Sequence, residues 1–427
     1  MRKSIFLLAI LITHMAIAQQ TLIHVKNYVD VENGKVIGNS SIIIEADKIV
    51  SIKKGFVNQA DFEEYINLKK HTLMPGWIDM HVHLESETNP KKYLEKYQDD
   101  EADIAYKSTV FAKRTLLAGF TTVRDLGGTG VNINLRDAIN RGDVMGPRIF
   151  TAGKSLATTG GHADPTNGSS RRFIADPGPK EGVVNGEDDA RKAVRQRYKN
   201  GADLIKITAT GGVLSEAKSG DNPQFTLEEI KAICETAADY GFHVAAHAHG
   251  DEGMQRAILG GVKTIEHGTK MSDETMELMK KYDAYYVPTI SAGKFVSKMG
   301  QIDGYYPEIV RPKALEIGPK IQSTFGRAYA KGVPIAFGTD AGVFYHGDNA
   351  LEFKFMNEAG MPLMEVLQSA TLTNAKLLQI DHEIGQIKET FIADLVAIEG
   401  DFDTKNLDAF MKPVLVVKEG IVVKNEL

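Results

Sequence analysis

Two histidines one residue apart, His81 and His83, close the apolar run Pro75-Gly76-Trp77-Ile78-Asp79-Met80-His81-Val82-His83. If that run is a strand, residues two apart point the same way and both imidazoles aim at one place. Two neutral imidazoles at one point suit a divalent metal. With 12 His in 427 residues, about 0.3 such pairs arise by chance, so the pair alone decides little.

Further chemistry lies downstream. Lys206 interrupts the apolar run Leu204-Ile205-Lys206-Ile207-Thr208, His247 and His267 close two more β-rich runs, and Asp340 sits in Gly338-Thr339-Asp340-Ala341-Gly342. Burial disfavours a lysine's charge. The resulting neutral amine can take up CO2 as a carbamate, a carboxylate on a long arm able to bridge two metals. The plainer alternative is a lysine paired with Asp203 or reaching solvent along its stem. His243, His247 and His249 share one face by parity. The strand end favours His247 as the ligand and leaves His243 as a hydrogen-bonded core residue. His249 is either a substrate contact or hydrogen-bonding support for a ligand. A carboxylate at Asp340 can ligate a metal and still handle a proton.

These residues need strands that end on one side of a common frame. Strand patterns fall at 78–82, 121–125, 148–152, 204–208, 243–247, 264–267, 285–288 and 335–338, the eight that a closed parallel barrel requires. Helical patterns with legible ends separate them. Thr226 and Glu229 form a capping box for a helix over 227–240 closed by Gly241; 187–200 ends at Gly201, Ser272 opens a helix to Lys281, and 328–331 ends at Gly332. Strand and helix in alternation argue for an α/β fold, a (β/α)8 TIM barrel.

Both ends of the chain read differently. Runs at 22–31, 41–44 and 49–52, with turn signals at Asn33-Gly34, Gly38-Asn39 and Asp47-Lys48, predict a small antiparallel sheet, and 393–399 and 414–423 have the same character. The expected division is a signal peptide at 1–18, a small β-sandwich domain from 19–73 and 385–427, and a barrel at 74–384. Arg2 and Lys3, an apolar run at 5–12 and Ala16-Ile17-Ala18 fit a cleavable export signal. The expectation is a periplasmic or secreted protein without a stable membrane anchor.

A net charge of −6 and the absence of basic runs argue against a nucleic-acid partner. One cysteine, Cys234, excludes an internal disulfide and reads as a packed residue. The stretch 163–186, rich in Gly, Pro, Asn, Asp and Ser, predicts either a substrate-facing flap, whose Arg171 and Arg172 can clamp a carboxylate, or a solvated surface loop. The apolar helical stretch 351–378 either covers the barrel or forms a homo-oligomer face.

As a set, His81-x-His83, Lys206, His247, Glu266-His267-Gly268 and Gly338-Thr339-Asp340 resemble the amidohydrolase superfamily in order and spacing. More narrowly they resemble its imidazolonepropionase-like branch, with zinc-dependent prolidase-type dipeptidases and ochratoxin-hydrolysing amidases. The resemblance spans nearly the whole chain, including Ala393-Asp394-Leu395-Val396. It implies two divalent metals, zinc by preference: His81, His83 and Asp340 on one, His247 and His267 on the other, carboxylated Lys206 bridging. It implies hydrolysis of a dipeptide or N-acyl amino acid by a metal-bridging hydroxide, with Asp340 as general acid/base and His162, in Thr159-Gly160-Gly161-His162, near the carbonyl or carboxylate of the substrate. A cyclic amidase, a lactonase, a deaminase and a metal-binding scaffold without turnover are the competing readings.

Overall fold

The structure, a computed structural model, describes residues 20–427 except 171, 173, 217 and 218. The expected signal peptide and Arg171 lie outside the described residues. A turn at Gly34, with φ +63°, joins β1 (Gln20–Asp30) to β2 (Lys35–Glu45), which pairs with β3 (Lys48–Lys54). Gly38-Asn39 is not a turn, contrary to expectation: it lies inside β2, where Asn39 takes φ +39°. β4 (Glu64–Pro75) runs parallel to β1, which makes the sheet mixed rather than antiparallel. Lys69 and Lys70 hide this strand from the pattern. They interrupt its alternation where the register with β1 slips between Val25 and Asn27.

The barrel follows. β5 (Trp77–Val82), β6 (Phe120–Asp125) and β7 (Arg148–Thr151) form one parallel group; β8 (Ile205–Thr208), β9 (Val244–Ala248), β10 (Thr264–His267) and β11 (Tyr285–Val287) form another. Main-chain hydrogen bonds join the groups at both seams. Asp203 N–H donates to Thr151 O and Leu156 N–H to Lys206 O, each at 2.8 Å. At the other seam the expected eighth strand, 335–338, is an extended segment without a regular ladder, because Pro334 lacks a donor and Asp340 turns left-handed at φ +62°. It still closes the ring: Ala336 N–H donates to Tyr286 O, Met80 N–H to Phe337 O and Asp340 N–H to His81 O.

β12 (Leu395–Glu399), β13 (Leu415–Lys418) and β14 (Ile421–Asn425) return beside β4, giving the order β14-β13-β12-β4-β1-β2-β3. Alternation along β12 fastens the two domains: Leu395 and Ala397 join Ile23, Ile42 and Leu68 in the sandwich core, while Val396 and Ile398 join the barrel core. The fold is therefore a TIM barrel with a β-sandwich built from both termini.

The helices start and stop where their caps dictate. Thr226 and Glu229 make both halves of the capping box for Leu227–Ala238, Ser272 accepts from Thr275 N–H at the start of Asp273–Lys281, and Gly201 ends Glu187–Asn200 at φ +88°. The signal before Gly332 marks the end of a longer helix, Arg311–Ala330. Helices Leu351–Glu358 and Leu363–Gln368 turn Phe353, Met356, Val366 and Leu367 into the barrel core, so this stretch covers the barrel. Cys234 is free and packs at the edge of that core. Among the described residues no helix is long and apolar enough to cross a membrane.

Trp77 ties the barrel to the returning chain. It is fully buried, its ring stacked on Phe410 at 5.6 Å and flanked by Phe120 and Phe353 at 5.5 and 5.0 Å. Trp77→Ala should cost about 3–5 kcal/mol, read as a lower midpoint in equilibrium urea unfolding.

Candidate active site

A cavity of about 300 Å³ is lined by His81, His83, His162, Lys206, His247, His249, His267 and Asp340. Each of these that belongs to a strand sits on it or just past its C-terminal end, the side where barrels collect reactive groups. Ring centres of His247 lie 4.4, 4.7 and 4.7 Å from those of His162, His249 and His267, and His81 stands 5.3 Å from His83 and 5.0 Å from His267. Asp340 Oδ1 is 3.4 Å from His81 Nε2 and 3.3 Å from His83 Nε2; Lys206 Nζ is 3.4 Å from His81 Nε2.

The imidazoles are held by one nitrogen each. His81 Nδ1 bonds Glu266 Oε2 at 2.9 Å, His83 Nδ1 donates to Gly127 O at 2.7 Å, and His267 Nδ1 bonds Thr289 Oγ1 at 2.8 Å. His247 is tied through its other nitrogen, Nε2, which donates to Gly211 O at 3.0 Å. A carbonyl partner forces the ring nitrogen to be the donor, so the remaining nitrogen of His83 and His247 is a lone-pair donor. Side chains fixed in this way are suited to hold a metal. Ligand atoms of His81, His267 and Asp340 all lie within 4.8 Å of one another. Asp340 Oδ1, buried, has no hydrogen-bond partner. A cation between these groups satisfies that oxygen and the lone pairs together, so the donor set fits a divalent metal.

Burial sets the charges. It lowers His81 and His162 to about 4, helped by Lys206, and His249 to about 3, helped by the neighbouring His162 imidazole. Burial and then the neighbouring imidazoles drive His247 and His267 well below the usual histidine range. These rings are neutral at physiological pH, the form a metal needs. Burial likewise brings the Lys206 amine down to about 8.

The backbone is strained at the same place. His267, Thr289 and Asp340 are non-glycine residues with φ of +70°, +53° and +62°, at or just past the ends of β10, β11 and the extended eighth segment. Such conformations cost roughly 1–3 kcal/mol apiece and cluster at functional sites. Here Tyr286 Oη–H holds His267 O at 2.8 Å and His81 O holds Asp340 N–H at 2.7 Å.

His243 stays outside the cavity lining and bonds Arg124 Nη1 through Nε2 at 3.2 Å. His249 bonds Thr269 Oγ1 through Nδ1 at 2.9 Å and also lines the cavity, so support and substrate contact are both open to it. Asp203 pairs with Arg136 at 2.8 Å, not with Lys206. Arg172 is exposed and absent from the cavity lining, which from the 163–186 stretch receives Ala163. His162 arrives by a close approach: a Cβ on Gly212 would meet its ring at 2.2 Å. Gly212→Ala should therefore displace His162. A misplacement of that size costs on the order of 10²-fold in kcat/KM, and near-native unfolding would show that the fold survives.

Arg124 escapes sequence reasoning, and Glu266 enters it only within the Glu266-His267-Gly268 motif, without its role. Arg124 and Glu266 are fully buried and paired at 2.8 Å, with Arg124 Nε also donating to Met80 O at 2.7 Å. Burial alone would raise Glu266, but Arg124 and His81 hold it at about 2, and as a carboxylate it orients His81. An arginine inside the β-rich 121–125 run, buried like Lys206, was the available signal.

With this geometry in view, the chain matches known proteins over most of its length. The amidohydrolase family model matches residues 72–423. Ochratoxinase of Aspergillus niger is 31% identical over 410 residues, covering 90% of this chain and 82% of that protein. A crystal structure of a Xaa-Pro dipeptidase with methionine bound in its active site superposes with a TM-score of 0.92 at 51% identity, covering 95% of this chain and 100% of that one. A prolidase complexed with N-methylphosphonate-L-proline gives 0.86 at 30% identity, with the same coverage. The protein belongs to the amidohydrolase family and is a hydrolase of carbon–nitrogen bonds.

Proposed function

We propose that this enzyme releases a C-terminal amino acid from a dipeptide or N-acyl amino acid by hydrolysing the amide bond. The observation that carries the reading is the convergence of six imidazoles, a buried lysine and an orphaned carboxylate oxygen on one cavity. The neighbours point to the same substrate class, since the Xaa-Pro dipeptidase holds methionine in its active site and the prolidase a proline phosphonate. His81, His83 and Asp340 would hold one divalent metal and His247 and His267 a second, with Lys206, carboxylated by CO2, between them. Zinc suits this nitrogen-rich, borderline-soft donor set. Bound there, the metal pair supplies a water nucleophile at neutral pH and polarises the amide carbonyl.

The chain's own residues handle the rest. Asp340 accepts the proton of the attacking water and returns it to the amide nitrogen, without which that nitrogen is a poor leaving group. His162, neutral and half-buried with its buried Nδ1 lacking a protein partner, offers an N–H to the carbonyl oxygen as negative charge develops. The pattern at residues 1–18 supports export, where peptides are available as substrates.

Mass spectrometry of products tests the reading. Zinc-loaded protein is mixed with pooled Xaa-Pro, Xaa-Arg and Xaa-Phe dipeptides, N-acyl amino acids, lactones and aminated heterocycles. A free C-terminal amino acid is the expected product. Ammonia or ring opening alone would sink the reading.

A further inference from the structure

Lys206 and Lys92 are the two cationic side chains among the described residues lining the central cavity, and Lys206 is committed to the metal cluster. Lys92 opens the short helix Lys92–Gln98. Its Nζ donates to Ser86 Oγ at 2.9 Å and Gly342 O at 3.4 Å, both neutral acceptors. Among the described residues no carboxylate lies within ion-pair distance of it. An ammonium carries three donors, and two are engaged. Asp340, Glu95 and Glu87 act on the ammonium only from beyond ion-pair distance, and an anion placed against its remaining donor would pair with it directly.

Position says whose charge. Gly342, which binds Lys92, follows Asp340 by two residues, and Ser86 follows His83 by three, so Lys92 faces the cavity beside the reacting groups. The lining also includes an apolar set, Val213, Val296, Ile317, Ile321 and Val343. This set presents no charged group. A ligand that satisfies both features has a negative charge and an apolar side chain within a few bonds of the scissile amide.

We propose that Lys92 seats the α-carboxylate of the amino acid that is released, and that the Val213–Val343 wall receives its side chain, which is therefore apolar. This rests on the cavity being a site for an acylated amino acid. Arg172, exposed and outside the lining, has no part in it.

Calorimetric binding to the metal-loaded full chain tests it without turnover. The probes are L-leucine and 3-methylbutylamine, the same molecule without its carboxylate. Wild type should prefer leucine by about tenfold or more. Lys92→Met should remove the preference and leave the affinity for the amine unchanged, while Lys92→Arg should restore most of it. In hydrolysis of N-acetyl-L-leucine, Lys92→Met should act mainly on KM, and N-acetyl-3-methylbutylamine should be insensitive to it. Full preference retained in Lys92→Met, or no preference in wild type, overturns the assignment. A Lys92-dependent preference without hydrolysis of any amide would keep the assignment and overturn the proposed reaction instead.

Discussion

Asp340→Asn should lower kcat by about 10³-fold or more, toward the upper end of what a positioned acid and base contributes. Asparagine is the informative replacement because the backbone at 340 is left-handed, φ +62°, and asparagine tolerates that region better than other non-glycine residues. The main-chain bond from Asp340 N–H to His81 O is kept, as is one side-chain oxygen to ligate. What disappears is the ability to accept and return a proton. Burial alone would raise the Asp340 carboxyl, but His81 and His83 keep it below the usual carboxylate range, so the wild-type group starts each cycle ionised and ready to accept. The assay is run at saturating metal, with bound metal quantified, to separate lost chemistry from lost ligand. A decrease under tenfold with full metal content would remove Asp340 from the proton transfers.

The features legible in the sequence are those that follow from local period. Alternation alone aims His81 and His83 at one point, and capping chemistry marks the helix at Thr226. The hidden ones depend on partners far away in the chain. β4 loses its alternation at Lys69-Lys70 because an irregularity in its pairing with β1 absorbs two residues. The eighth barrel position is no regular strand, yet its bonds to Tyr286 and Met80 close the ring. Lys92 lies among Lys91, Tyr93, Glu95 and Lys96, a composition that reads as a solvated surface. Asp79 likewise gives no sign of its role: its carboxylate accepts from His81 N–H and Thr339 N–H, both 3.0 Å, and from Asn349 Nδ2 at 2.8 Å. It thereby locks the end of β5 to the segment carrying Asp340. Spacing identifies the chemically capable groups, while their orientation depends on contacts spanning up to 270 residues.

With the two metals proposed above, Lys206→Met should leave one metal per chain instead of two, with activity falling by a factor comparable to Asp340→Asn. Methionine keeps the volume of the stem, so the variant reports on the amine rather than on a cavity. The wild-type amine, lowered by burial from 10.5 to about 8, is half neutral near pH 8, whereas an unperturbed lysine would be roughly 0.3% neutral there. Only the neutral amine adds CO2, so this burial favours the carboxylation proposed for Lys206. The same shift has a thermodynamic signature in metal-free, CO2-free protein. Between about 8 and 10.5 the unfolded chain binds more protons at this site than the folded one, so stability rises with pH across that window. Below it the folded state carries the full cost of a buried ammonium. Lys206→Met should abolish that slope and, below pH 8, make the metal-free protein more stable by about 1–4 kcal/mol, as replacement of buried charge by apolar volume often does. Metal analysis and urea unfolding at several pH values read the two effects separately. Two metals retained in Lys206→Met would eliminate the carbamate bridge, and an unchanged pH slope would mean that Lys206 titrates as an ordinary lysine.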